Sequence, residues 1–315
     1  MNVVVAGATG AVGSRLTPLL VAAGHRVVAL TRSPAKAEAL ARTGAVARTV
    51  DAFDAQAICS AVLDARPEVV AHELTALANA SDLVHFDRAF AATNRLRTEA
   101  LDLLLSAAET SGARRFVAQS FCGWPYARTG GPVKTEDDPL DPDPPGEMRR
   151  TLDAIRHLES AVTGSRTLEG VVLRYGAFYG PGSGLFDGRF LDQVRRRRAP
   201  LIGDGGGFWS FLHLDDAAQA TARAIEGGGP GVYNIVDDDP APVREWLPAL
   251  AAVFGAKPPR RIPAWVARIV VGEHMVSMMT ESRAGSNRRA KETLGWRPAH
   301  PSWRQGFAEV LALGG

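Results

Sequence analysis

The stretch "VVVAGATGAVGSRL", residues 3–16, decides the fold. It holds a short apolar, β-branched run, then glycines at positions 7, 10 and 13, then a pattern that reads as a helix. Gly7 permits a tight turn out of a first strand. Gly10 lets the backbone approach a pyrophosphate. Gly13 lets the new helix pack closely on a sheet, so that the pyrophosphate rests on the helix N-terminus. The spacing is G-x-x-G-x-x-G, not the commoner G-x-G-x-x-G, and by itself it is a modest signal. Its place straight after the first strand of a βαβ unit strengthens it. The competing reading is a glycine turn that holds nothing.

Outward from this loop, the first 120 residues alternate strand and helix. Strands are expected at 2–6, 26–31, 45–50, 68–72 and 115–119, with helical patterns between them. That rhythm predicts an α/β fold: a Rossmann-type, doubly wound parallel sheet covered on both faces. The longest helix is expected over 82–110, with Ser81 as N-cap and Phe86, Phe90, Thr93, Leu96, Ala100, Leu103 and Ala107 as its buried stripe. Residues 122–146 carry six prolines and five acids and read as a long functional loop that covers the site and moves more than the sheet. A helix at 147–162 and a strand at 168–175 come next. The expected division is a nucleotide-binding domain over 1–172 and a smaller substrate-binding part over 173–315, some of which returns to the sheet.

The bulk properties bound the function. The chain has 315 residues, 46% of them hydrophobic, enough for one large domain or two smaller ones. A net charge of +2 gives no broad field for nucleic acid or a membrane surface. Cys59 and Cys122 cannot form a disulfide framework or a metal cage and suit a reducing compartment. No metal-ligand spacing and no run of 18 apolar residues occurs. The expectation is a cytoplasmic protein with a small-molecule substrate, no nucleic-acid or membrane partner, and room for a homodimer.

The end of the second strand selects the cofactor. A carboxylate there would bind the ribose hydroxyls of NAD; here the chain reads Leu30-Thr31-Arg32-Ser33-Pro34. Arg32, helped by Ser33, can pair with a 2′-phosphate, which favours NADP with NAD as the alternative. Against this, Ser33 and Pro34 also make an ordinary helix start. Asp51 is placed either to meet an adenine amine or to cap the next helix.

With these pieces in hand, the chain resembles the NAD(P)-dependent epimerase/dehydratase family, the extended short-chain dehydrogenases. "GATGAVG" looks like the family's phosphate loop, which implies cofactor contacts from Gly7, Thr9, Gly10, Ala11, Val12 and Gly13. "VVAHELTAL" (69–77) implies Leu74 and Thr75 beside the cofactor, and Asn94 resembles the asparagine of the family's fourth helix. "LRYGAFYGPG" (173–182) is similar to the segment reaching the nicotinamide, which brings in Tyr175. "GDGGGFWSFLHLDDAAQA" (203–220) and "NRRAKETLGWRP" (287–298) look like C-terminal signatures. The resemblance also implies a departure. The family carries Tyr and Lys four residues apart with a Glu four residues later. In "TLDAIRHLE", matching the Glu to Glu159 puts Thr151 at the Tyr position and Ile155 at the Lys position. Tyrosine delivers a proton because a neighbouring ammonium lowers its pKa; a threonine beside isoleucine has no such help.

Other groups remain as candidates. Tyr126 offers a phenol, as a catalytic acid or as an anchor pinning the loop. Ser120 ends a strand where α/β ligands bind, either in catalysis or in a hydrogen bond to cofactor. His72 and Glu73 also end a strand, and His72 reads as a base or as a backbone-bonded structural histidine. Cys122 reads as a small hydrophobe, Lys134 as a partner of its acidic neighbours, and Arg195–Arg198 as a solvated helix end. Three functions stay open: an NADP(H)-dependent enzyme with an altered proton-transfer group, a non-redox isomerase, lyase or cyclase on the same scaffold, and an inactive NADP-binding regulator.

Overall fold

Strand β1 (Asn2–Ala6) alternates its side chains between two cores: Val3 and Val5 enter one, Val4 and Ala6 the other. A strand buried on both faces needs helices on both faces, and the chain supplies them. In the computed structural model, which describes residues 1–77, 85–183 and 189–313, β1 leads into α1 (Gly13–Ala22), β2 (Arg26–Thr31), α2 (Pro34–Ala41), β3 (Val46–Thr49), α3 (Ala55–Ala65) and β4 (Val69–His72). Next come α4 (Phe86–Ala89), α5 (Ala91–Arg95), a π-helical turn at Leu96–Ala100, α6 (Leu101–Ser111), β5 (Arg115–Phe121), α7 (Arg149–Gly164) and β6 (Glu169–Tyr175). Further on, α8 (Leu214–Glu226) packs against α1, and β7 (Gly231–Ile235) pairs with β6.

These seven strands form one sheet, all pairs parallel, in the order β7-β6-β5-β4-β1-β2-β3. The order reverses between β1 and β4, so the connections leaving their carboxyl ends run to opposite faces of the sheet and leave a crevice at that edge. A separate core, built around Phe211, Trp246, Trp303 and Phe307, holds the C-terminal segments together. No helix among the described residues is long and apolar enough to cross a membrane.

Two sequence expectations change. The helix foreseen over 82–110 is interrupted: Ser81 and Asp82 lie outside the described residues, and the π turn at Leu96–Ala100 inserts an extra residue per turn. That insertion rotates α6 about the helix axis, so the fully buried leucines are Leu101 and Leu104, while Leu103 is only partly buried. The 122–146 segment is not without structure. Val133–Lys134 pairs with Ala284–Gly285, Tyr126 bridges Leu140, and Arg128 binds Asp141 at 2.8 Å and Glu281 at 3.0 Å. Lys134 pairs with Asp138 at 3.1 Å, as its acidic surroundings suggested.

Candidate functional site

The phosphate loop has the geometry its glycines foretold. Gly7 sits at φ +93°, and a Cβ there would lie 2.5 Å from the Glu73 carbonyl oxygen. Only glycine makes that turn while β1 and the chain after β4 run this close. A Cβ on Gly13 would collide with the Gly7 carbonyl, so the third glycine lets α1 start directly against the loop. Gly10 and Ala11 are exposed at the loop's tip and Thr9 is half-buried. No side chain caps α1 at Val12, and no acid lies in its first turn. An uncapped helix N-terminus behind exposed backbone fits the diphosphate of a dinucleotide. Leu74 borders this loop, since its amide lies against Gly7, and Thr75 follows it in the chain.

At the end of β2, Arg32 is exposed and forms no hydrogen bond or ion pair with another described residue. The Ser33 hydroxyl caps α2, accepting from the Lys36 amide at 3.4 Å. Asp51 is exposed and accepts from the Phe53 amide at 3.0 Å. It is not the helix cap: α3 begins at Ala55, and Asp54 accepts from the Ala57 amide at 3.0 Å. Tyr175 is turned away from the crevice. Strand alternation places it under α8, its hydroxyl donating to Glu73 Oε1 at 3.1 Å and sharing a 2.6 Å hydrogen bond with Thr221. Burial raises the Glu73 carboxyl to about 8.

The expected Tyr and Lys positions hold no titratable group. Thr151 is fully buried; its hydroxyl donates to Asp87 Oδ1 at 2.6 Å and accepts from Asn94 Nδ2 at 3.0 Å. Asp87 also takes the Arg150 and Thr151 amides at 3.0 and 2.9 Å, so α4 caps α7 across the fold. Asn94 Oδ1 is buried and has no partner. Ser120 donates to Glu159 Oε1 at 2.7 Å, and Arg174 clasps the same carboxylate at 2.8 and 2.5 Å. The Tyr126 hydroxyl donates to Asn234 Oδ1 at 2.7 Å and accepts from Arg174 Nη1 at 2.9 Å, and burial drives its pKa up. Ser120 and Tyr126 therefore belong to one buried network around Arg174, the anchor arrangement rather than an open acid. His72 is enclosed, with Nε2 on the Leu96 carbonyl at 3.0 Å and Nδ1 accepting from the Leu74 amide at 3.3 Å. Burial lowers its pKa to about 4, so it stays neutral and structural.

Beside this network lies a cavity with about 790 Å³ of empty volume, part of it open to solvent. Its walls include Phe86, Phe90, Phe121, Trp124, Phe208 and Trp209, and Ile155 forms part of its lining. Phe121 ends β5, and Ala177 lies just past β6, so the cavity opens at the carboxyl edge of the sheet, the edge that carries the phosphate loop. The polar groups in its lining are few. Ser210 and Ser282 are engaged with backbone groups, and burial pushes the Cys122 thiol up to about 12. Among the described lining residues the one charged side chain is Arg97, which no motif in the sequence marks. A weaker signal is there all the same: Arg97 lies four residues after Thr93 and three before Ala100, on the apolar stripe of its helix.

Comparisons with known proteins agree with this geometry. The family model described as NAD dependent epimerase/dehydratase family matches residues 3–236. A 3-diazoavenalumate denitrifying reductase from a Streptomyces species is 46% identical over 309 residues, covering 98% of this chain and 99% of the relative. A UDP-glucose 4-epimerase from Thermotoga maritima, solved with UDP-glucose, superposes with a TM-score of 0.78 at 22% identity, covering 99% of this chain and 98% of that one. The human epimerase family protein SDR39U1, solved with NADPH, gives a TM-score of 0.75 at 22% identity and covers 99% of both chains. From its glycine loop, its switch-point crevice and these matches, the chain belongs to the NAD dependent epimerase/dehydratase family.

Proposed function

We propose that this protein is an NADP(H)-dependent reductase that removes a diazo group from a planar aromatic acid. The carrying observation is the cavity: aromatic walls and, among the described lining residues, no side chain able to give up a proton near neutral pH. Cys122 and Arg97 are the titratable groups among its described lining residues; burial places the thiol near 12 and the guanidinium near 10. The name of the Streptomyces relative specifies a diazo group, a carboxylate, a reduction and a loss of nitrogen.

Residues Gly7, Thr9, Gly10, Ala11, Val12 and Gly13 would hold the cofactor's diphosphate, Arg32 its 2′-phosphate, Asp51 its adenine edge, and Leu74, Thr75 and Asn94 its inner half. When bound, the nicotinamide supplies a hydride equivalent. A carbonyl that takes up hydride also needs a proton on oxygen, which the family's Tyr-Lys pair would provide. An aryl diazonium needs none. It is already cationic: hydride adds, the carbon–nitrogen bond breaks, dinitrogen leaves, and the hydrogen ends on the ring carbon. Charge and atoms balance with no acid from the protein. Thr151 and Ile155 then suffice, the first to hold helix α7, the second to wall the cavity. Phe121, Trp124 and Trp209 hold the ring and keep water from the reacting carbon.

The test is oxidation of NADPH, tracked by its near-ultraviolet absorbance, with an aryl diazonium carboxylate and with a ketone of matched shape. Dinitrogen release coupled to cofactor oxidation with the diazonium, and no turnover of the ketone, is expected. Equal turnover of the ketone would refute the reading.

A further inference from the structure

Arg97 presents a physical problem that the reaction alone does not resolve. It is the second residue of the π-helical turn, is only 6% exposed, and lines the aromatic cavity. Its guanidinium makes no hydrogen bond or ion pair with another described residue, and Nη1 is cut off from solvent with no partner. Burial alone depresses its pKa to about 10, opposed only by the charge of Glu159. Glu159 is already taken by Arg174 and Ser120. The surrounding titratable groups do not help: His72 is neutral, and the Cys122 thiol and Tyr126 phenol stay protonated. With Glu159 claimed by Arg174, Arg97 has no carboxylate partner of its own among the described residues. A buried cation without a counter-charge is costly, and such a charge at the wall of a cavity is suited to a ligand anion. A guanidinium also has the planar fork that matches a carboxylate with two parallel hydrogen bonds.

We infer that Arg97 is the substrate anchor: it binds the carboxylate of a planar aromatic acid whose ring lies among Phe86, Phe90, Trp124 and Trp209. This inference rests on the reductase reading for the reaction but not for the binding. It also orients the substrate. A cationic diazonium is repelled from Arg97 while the carboxylate is drawn to it, so the two ends of the molecule are sorted by charge.

The experiment uses the full chain saturated with NADPH and an unreactive probe pair, a 3-arylacrylate and its neutral primary amide, titrated by quenching of tryptophan fluorescence. The wild type is expected to bind the carboxylate about 10- to 100-fold more tightly than the amide, the worth of a charge-assisted contact. Arg97→Gln should erase that preference while leaving amide affinity within about threefold, and Arg97→Lys should restore part of it. The wild-type comparison needs no variant, so it stands even if Arg97→Gln folds poorly. Equal binding of acid and amide to the wild type would overturn the inference. So would Arg97→Gln weakening NADPH as much as the acid, which would put the guanidinium on the cofactor. Selective acid binding without turnover of any diazonium would uphold the anchor and refute the reductase reading. Diazonium turnover with no acid preference would do the reverse.

Discussion

Thr151→Ala separates a structural hydroxyl from a catalytic one. The side chain gives one hydrogen bond to the Asp87 carboxylate at 2.6 Å and receives one from Asn94 at 3.0 Å, in a fully buried setting. A charge-assisted bond is worth about 1.5–3 kcal/mol and a neutral one about 0.5–1.5. Asp87 keeps two backbone donors, the amides of Arg150 and Thr151, so the first loss falls at the low end. Asn94 loses more, because its Oδ1 already lacks a partner and its amide would then be bare as well. The expected cost is roughly 2–4 kcal/mol, a fall in Tm of roughly 3–6 °C for a chain of this size. Turnover should change less than about threefold, since general acid catalysis would be worth about 100- to 10,000-fold. The assay pairs thermal melting by circular dichroism with kcat at saturating cofactor and diazonium. A fall in kcat beyond about 100-fold, with a cooperative melt and unchanged cofactor affinity, would refute the reasoning and return Thr151 to the chemistry.

Three further outcomes are expected from the same geometry. Arg32→Ala should weaken NADP binding about 10- to 100-fold and leave NAD nearly unchanged, because Arg32 is exposed and unengaged at the end of β2; calorimetry with both cofactors checks this, and equal losses would refute it. Tyr126→Phe should cost about 1–3 kcal/mol of stability by stranding Asn234 and Arg174, with kcat within about threefold, so a large kcat loss at unchanged stability would restore the phenol as an acid. Glu73 is raised from 4.5 to about 8 by burial, so the folded state holds a proton that the unfolded state has released. Stability from this group is therefore present below pH 4.5 and is lost as pH rises towards 8. Glu73→Gln should flatten the fall in Tm across that window, with Asp237, also raised to about 8, keeping its own share; an unchanged slope would show that Glu73 does not carry it.

Much of the architecture was legible along the chain. Alternation of Val3, Val4, Val5 and Ala6 specifies a strand buried on both sides, and the glycines at 7, 10 and 13 specify a turn and a close helix. These are short-range matters of period and sterics, and β1 and β2 appear with the bounds the pattern predicts. The candidate site was legible only in part. Asp51 and Asp54 are equally good caps on paper, and the choice depends on where α3 begins. Tyr175 belongs to a segment that approaches the crevice, yet strand alternation turns its side chain beneath α8.

The order of residues alone specifies the parallel sheet, the phosphate loop and the absence of a titratable group at 151 and 155. Those properties arise from neighbouring residues and from side-chain chemistry that no fold alters. What each polar group faces is settled only by packing. Thr151 meets Asp87 across 64 residues and Asn94 across 57, and Tyr126 meets Asn234 across 108. The uncompensated charge of Arg97 likewise exists only once α7, β6 and the π turn come together and Arg174 claims Glu159. Desolvation and pairing depend on what is near in space, and nearness in space is set by the packing of the whole sheet with its helices.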